Sequence, residues 1–416
     1  MRTSTNLSLT IAVVALALIG CVGSPEDWPK WGGPRGEFTA STSTLLGDWN
    51  VAKPALAWSR ELGEGYSGMI VVDGRVFTMY SEDGSEIAIS LDANTGETLW
   101  ERSYKAPILD GMAMENGAGP HSTPSYAHGG VHTMGVTGIL HRLDAETGEV
   151  VWVRRCIEEF GGSVLGRGYS TQPVVYKDTI VTPVGGEGNG VVAFRLSDGE
   201  VQWKSGSFRT SHAAPVIVSL HGQCTFVFFA HQEFTGIDPA SGAILWRHPH
   251  HVVGGHICST PVELSDDALF FSTAYDGGSW RIDVSRQLDG NPFVVKKRWF
   301  KKTLLVHHSN AVHLDGAIFA PSGSFGPKIY SCMDVATGEI LWKSRELGRC
   351  NVVRVGHRII ALDEEGQLVL ARISRESLKI LGRHKLFDER AWTPPTLVGK
   401  RLFVRNRTHI LAVDLP

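Results

Sequence analysis

The segment Leu91-Asp92-Ala93-Asn94-Thr95-Gly96-Glu97-Thr98-Leu99-Trp100 recurs along this chain. Fuller copies end at Trp152, Trp246 and Trp342, and a shortened one runs Leu196-Ser197-Asp198-Gly199-Glu200-Val201-Gln202-Trp203. Each copy reads as strand, tight turn, strand. The Asp carboxylate can accept from turn amides, and Gly supplies the positive φ that closes the turn. The terminal Trp is an apolar plate suited to packing between neighbouring sheets. A second hairpin precedes each copy, as in Val71-Val72-Asp73-Gly74-Arg75-Val76-Phe77 and Leu397-Val398-Gly399-Lys400-Arg401-Leu402-Phe403. One unit therefore holds four short strands, A to D.

The closing tryptophans, Trp58, Trp100, Trp152, Trp203, Trp246, Trp299 and Trp342, recur every 42 to 53 residues. A blade of a β-propeller takes roughly 40 to 50 residues, and the alternating apolar pattern excludes helical repeats of that length. Ala55-Leu56-Ala57-Trp58 is a D strand with nothing before it, and Thr408 to Asp414 is a C strand with nothing after it. Their pairing would close a ring and remove its open edges. With one degenerate blade in 343–385, the expectation is an all-β, eight-bladed propeller of four antiparallel strands per blade, covering 55–416.

The chain has 416 residues, 47 of them Gly, and a net charge of -3. That balance gives no nucleic-acid footprint. Arg2 and the apolar stretch Leu9 to Ile19 read as a signal peptide, too short to span a bilayer. It ends Leu18-Ile19-Gly20-Cys21, which resembles a bacterial lipobox. The organisation expected is a signal peptide at 1–20, lipidation at Cys21, an N-terminal arm at 21–54 and the ring. The arm's Trp28-Pro29-Lys30-Trp31-Gly32-Gly33-Pro34 is expected to cover part of the ring surface. Cys156, Cys224, Cys258, Cys332 and Cys350 lack metal-type spacing and read as buried free thiols, with one or two disulfides as the alternative in an oxidising compartment.

Short A–B and C–D turns predict that variable loops gather on the other rim. Long stretches there are 101–120, 153–168 and 184–190. Aligned on the inner strands, the funnel mouth collects Tyr66, His121, Ser170, His212, Cys258, His308 and Trp392, with His256 and His307 beside them. Histidines from several blades, His121, His212 and His308 above all, could gather a transition metal or an anionic ligand. Alternatively they satisfy backbone groups and water in a polar channel. Glu187 and Asp276 read as solvated loop acids, and Arg142 and Arg195 as contacts between blades. Lys296-Lys297-Arg298, with Lys301 and Lys302, reads as a charge-protected edge or a patch for anionic lipid headgroups.

The Asp-Ala-x-Thr-Gly-Glu-x-x-Trp units resemble the repeats of the pyrroloquinoline-quinone (PQQ)-type, or quinoprotein-like, β-propeller family over nearly the whole chain. Within it, a lipid anchor plus eight blades is most similar to the outer-membrane assembly scaffolds. The resemblance implies one of two activities. Dehydrogenases of the family hold the quinone and calcium in the funnel, with an Asp base and a vicinal Cys-Cys pair. Other members are non-catalytic scaffolds. No two cysteines are adjacent here, and the calcium ligands and the base match no particular residues, so no catalytic residue is carried over; no cofactor is expected, with PQQ and calcium as the alternative. The expected partners are envelope or outer-membrane proteins, met by a monomeric, membrane-anchored ring in an extracytoplasmic compartment.

Overall fold

The structure, a computed structural model, describes residues 27–41, 49, 51–113, 115–252, 257–287, 293–323 and 328–416. The expected signal peptide and Cys21 lie outside them. Eight four-stranded antiparallel sheets form the blades of a β-propeller. Blade 1 is Ile70–Val72, Arg75–Glu82, Ser85–Asp92 and Thr98–Lys105, named A to D. Blade 7, which lacks the Asp–Thr–Gly turn, is nonetheless complete: Cys350–Val355, Arg358–Asp363, Gln367–Ile373 and Leu378–Lys385. Blade 8 joins both ends of the chain. Ala55–Glu61 pairs antiparallel with His409–Asp414, Trp58 lying opposite Ala412.

The repeat does two jobs in three dimensions. Within a blade, Asp144 Oδ1 accepts from the amides of Glu146 and Thr147 at 3.0 and 2.9 Å, fixing the C–D turn. Between blades, the D-strand Trp lies against the turn Gly of the next blade. A Cβ on Gly148 would sit 2.6 Å from the Trp100 ring, at a φ of 72°. The same apposition recurs at Gly96, Gly199, Gly242 and Gly338. Each indole then donates to a turn carbonyl: Trp58 to Ala93, Trp100 to Ala145, Trp152 to Leu196, Trp203 to Pro239, Trp299 to Val335 and Trp342 to Ser374. Two residues on, Arg60, Arg102 and Arg154 donate to the carbonyls of Gly96, Gly148 and Gly199. A one-residue bulge just before the Trp sets this register, as between Ser90 and Leu91 opposite Leu99. Trp246 is the exception: its buried Nε1 finds no acceptor among the described residues.

Several local expectations need correcting. Residues 184–190 form no long loop. They are the tip of a hairpin, with Thr179–Gly186 and Asn189–Arg195 leaving Glu187 and Gly188 as its turn. Likewise Glu101 to Lys105 continues a strand, and 153–168 begins with strand residues followed by the short helix Cys156–Phe160. The true long connections run from D to A strands. Arg142 does bridge blades, donating to Leu196 O and to His128 O, but Arg195 pairs within its own turn with Asp198 and Glu200. The five described cysteines are free; Cys156, Cys332 and Cys350 are buried, whereas Cys224 is exposed. Lys296 to Lys301 lies on a D strand as expected, with Lys301 tied to Glu339 in blade 6.

The N-terminal arm docks on the inner strands of the ring and enters the central channel. Trp28 pairs with the inner strand of blade 1 at Val71, and Pro29 O accepts from Tyr126 N in blade 2. Trp31 takes Gln172 on its backbone amide and donates its indole N–H to Thr260 Oγ1, both at 3.0 Å. Phe38 and Ala40 finish on Arg354 in blade 7. Inner A strands have one unpaired backbone edge, and the arm satisfies part of it. The chain thus lays a bar across its own channel.

Candidate ligand funnel

Above that bar lies a cavity of about 510 Å³. Tyr66, His121, Ser170, His212, Cys258, His307, His308 and Trp392 all line it. His256 falls outside the described residues. Tyr66, His121 and Trp392 each immediately precede a residue that links one blade to another. Ser67 Oγ donates to Ser122 O, Ser122 Oγ to Thr171 O, and Thr393 Oγ1 to Tyr66 O. The same geometry that ties the blades therefore points each preceding side chain inward.

The wall is a linked aromatic and imidazole surface. The Tyr66 ring lies 5.1 Å from Trp392 and 6.2 Å from His121, nearly parallel to the latter. His308 lies 4.9 Å from Trp392. Nδ1 of His308 and Nδ1 of His307 are 2.8 Å apart, so one of the two carries the shared proton. Nε2 of His307 meets the Tyr275 hydroxyl at 3.0 Å, and Nδ1 of His212 meets Ser170 Oγ at 2.9 Å. Among the described residues no three His, Cys, Asp or Glu side chains converge to hold a metal ion. His121, His212 and His308 are spread along the wall, not gathered on one ion.

Sequence reasoning missed the charged residues of this wall. Arg167, Arg349 and Arg390 line the cavity together with Trp31, Asn116 and Tyr275, and among the described residues no Asp or Glu does. Arg349 occupies the place that blade 7 fills in the inward ring, one residue before Cys350. Blade 7 lacks the turn signature, so the sequence alone offered no register for it. Tyr275 adjoins Asp276, which drew notice as a loop acid; the tyrosine is the residue that faces the funnel. Arg349 is fixed by Glu364 at 3.3 Å and by Gly323 O at 3.2 Å, and Arg167 by Glu115 at 2.6 Å and Ala113 O at 2.9 Å. Arg390 lies over the Trp392 ring at 5.5 Å. Glu364 also accepts from Trp392 Nε1 at 3.2 Å, behind the wall.

Titration follows from this enclosure. Burial, then the charges of Arg167 and Arg405, hold His121 down at about 4. Burial, then His307 and Arg349, hold His308 well below the usual imidazole range. Burial pushes the Cys258 thiol up to about 12, so it is no nucleophile at neutral pH. At neutral pH His121 and His308 are therefore uncharged, and Arg167, Arg349 and Arg390 bring guanidinium groups to the wall. Calcium seeks six to eight oxygen ligands, carboxylates foremost. A wall with three guanidinium groups and no lining carboxylate does not fit it.

Fold and funnel define a quinoprotein-like eight-bladed β-propeller. Within that class the chain belongs to the family described as outer membrane protein assembly factor BamB, whose model matches residues 83–344. It is 22% identical over 429 residues to the outer membrane protein assembly factor BamB of Shewanella oneidensis, covering 98% of each chain. It is 29% identical over 199 residues to the dehydrogenase subunit of a quinone alcohol dehydrogenase from Komagataeibacter europaeus; that match takes in 45% of this chain and 26% of the subunit. Among solved structures, BamB from Moraxella catarrhalis superposes with a TM-score of 0.60 at 16% identity, covering 87% of this chain and all of that one. Quinohemoprotein alcohol dehydrogenase from Comamonas testosteroni gives 0.65 at 13%, covering 94% and 80%. These structural likenesses bear on the fold.

Proposed function

We propose that this chain is a non-catalytic scaffold of the bacterial envelope, lipid-anchored through Cys21, that docks proteins of outer-membrane assembly. The end-to-end match to an assembly factor carries this reading, because it accounts for 98% of both chains. The dehydrogenase match accounts for about a quarter of its counterpart. A rigid ring with varied D–A connections on one rim suits a docking role, since loops on a fixed frame tolerate change without loss of the core. The test is affinity capture of the intact, lipidated chain from solubilised envelopes, followed by protein identification. An outer-membrane assembly protein should be recovered reproducibly and in near-equal amount; its consistent absence would count against the proposal.

A second reading, a quinone-dependent oxidoreductase or a quinone-binding relative, rests on the 29% identity to the dehydrogenase subunit. The absence of a vicinal cysteine pair, and of carboxylates on the funnel wall among the described residues, weighs against it. Dye-linked alcohol oxidation by purified protein supplied with PQQ and calcium would favour it.

A further inference from the structure

The N-terminal arm leaves the ring at one defined rim. Trp28 exchanges two backbone hydrogen bonds with Val71, its amide donating at 2.8 Å and its carbonyl accepting at 3.0 Å. Val71 lies on Ile70–Val72, which runs directly into the A–B turn at Asp73 and Gly74. Asp27 accepts from Asp73 N through Oδ1 at 3.4 Å. Trp28 is buried, and Gly33 lies so close to its ring that a Cβ there would sit 2.9 Å away. The exit is therefore pinned on the rim of the A–B and C–D turns. The funnel mouth opens on the opposite rim, beside the D–A connections.

Tether length turns that exit into an orientation. Six peptide units join the Cα of Cys21 to that of Asp27, and in any conformation they span at most about 22 Å. The ring is thicker than this. The B strand Arg75–Glu82 rises through 8 residues, about 27 Å, from the turn rim to the loop rim. With the funnel mouth against a membrane, Cys21 could not reach the bilayer. Edge-on, the tether would cross four strand spacings from Trp28 to the outer strand, roughly 19 Å, and then the outer side chains. That draws it taut, and a taut chain loses conformational freedom. Only the turn rim meets a membrane with slack in the tether. Its chemistry suits headgroups. The A–B turns present Asp73, His128, Lys177, His221 and Asp315, polar residues of both signs, which hydrocarbon would strip of water.

We infer that the protein sits with its turn rim on the membrane surface and its funnel mouth and D–A connections turned away from it. This inference rests on the lipid anchor of the proposed function and adds a direction to it. A docking partner then meets the loop rim from the aqueous side, and the arm is the strap that holds the ring in this attitude.

Cys224 supplies a probe of the turn rim: it is exposed and lies two residues past the blade 4 turn at His221 and Gly222. Glu187, at the hairpin tip of blade 3, is exposed on the loop rim. The lipidated chain is labelled with bimane at Cys224 or, with Cys224→Ser, at Glu187→Cys, both in a Cys258→Ser background. Each is reconstituted with phosphatidylcholine and phosphatidylglycerol vesicles carrying a headgroup nitroxide, and flotation is scored first. Quenching severalfold greater at Cys224 than at position 187 is expected. A flexible Gly-Ser insertion of about 20 residues after Ser24, adding roughly 25 Å of reach, should keep flotation and level the two signals. Equal quenching before the insertion, stronger quenching at position 187, or an asymmetry that the insertion leaves untouched would each overturn the inference while the anchor stands. A lipidated chain that does not float would overturn the anchor and the orientation together.

Discussion

Substituting Gly148 by Ala separates the two demands that the repeat places on its glycine. The φ of Gly148 is 72°, and that of Gly74, in the A–B turn of blade 1, is also 72°. An L-residue in this region costs about 1–2 kcal/mol at either site. The surroundings differ. A Cβ at Gly74 meets nothing within 4 Å, whereas at Gly148 it falls 2.6 Å from the buried Trp100 ring. Displacing that ring adds an overpacking cost of about 1–3 kcal/mol. It also endangers the 3.0 Å bond from Trp100 to Ala145 O, worth about 1 kcal/mol. Gly148→Ala should therefore lose roughly 2–5 kcal/mol and Gly74→Ala about 1–2. Urea midpoints at constant slope measure both. Equal losses would refute the view that the turn glycine seats the tryptophan of the preceding blade.

Three further outcomes follow from the same structure. Trp152→Phe breaks a 2.8 Å bond to Leu196 O, while Trp246→Phe removes a buried N–H with no described acceptor, so the first should cost more by about 1–2 kcal/mol in denaturant titrations. Glu86 is buried, accepts from Val136 N and the Tyr104 hydroxyl, and has its carboxyl pushed up to about 7 by burial. A raised folded-state value favours the native state fully below about 4.5 and loses that contribution as pH rises through about 7; Glu86→Gln should remove this part of the pH slope, about 3 kcal/mol at most. In non-lipidated, native protein starting after Cys21, Cys224 should react at once with a thiol reagent, and Cys156, Cys332 and Cys350 only on unfolding; prompt reaction of Cys156 or Cys350 would contradict their burial.

The ring was legible because its determinants are local and repeated. Asp92, Gly96 and Trp100 sit within nine residues, and their recurrence set both the blade count and the closure by Trp58 and His409 to Asp414. The inward positions were legible for the same reason wherever a blade kept its signature, which located Tyr66, His121 and Trp392. What escaped depends on contacts that sequence spacing does not encode. The arm's path is set by a few hydrogen bonds to five blades, and nothing periodic in Trp28 to Pro34 announces it. Arg349 lies in the blade without a turn motif, and Arg167 is carried inward by a D–A connection. The tip at Glu187 was misread because its glycines suit a two-residue hairpin turn as well as a loop.

The scaffold reading is tested most directly by crosslinking in intact cells, comparing the full chain with Cys21→Ser. The account predicts that the lipidated chain crosslinks to an outer-membrane assembly protein and that Cys21→Ser loses most of that yield. Recovery of no envelope partner by the lipidated chain, with PQQ-dependent alcohol oxidation by the same protein, would contradict it.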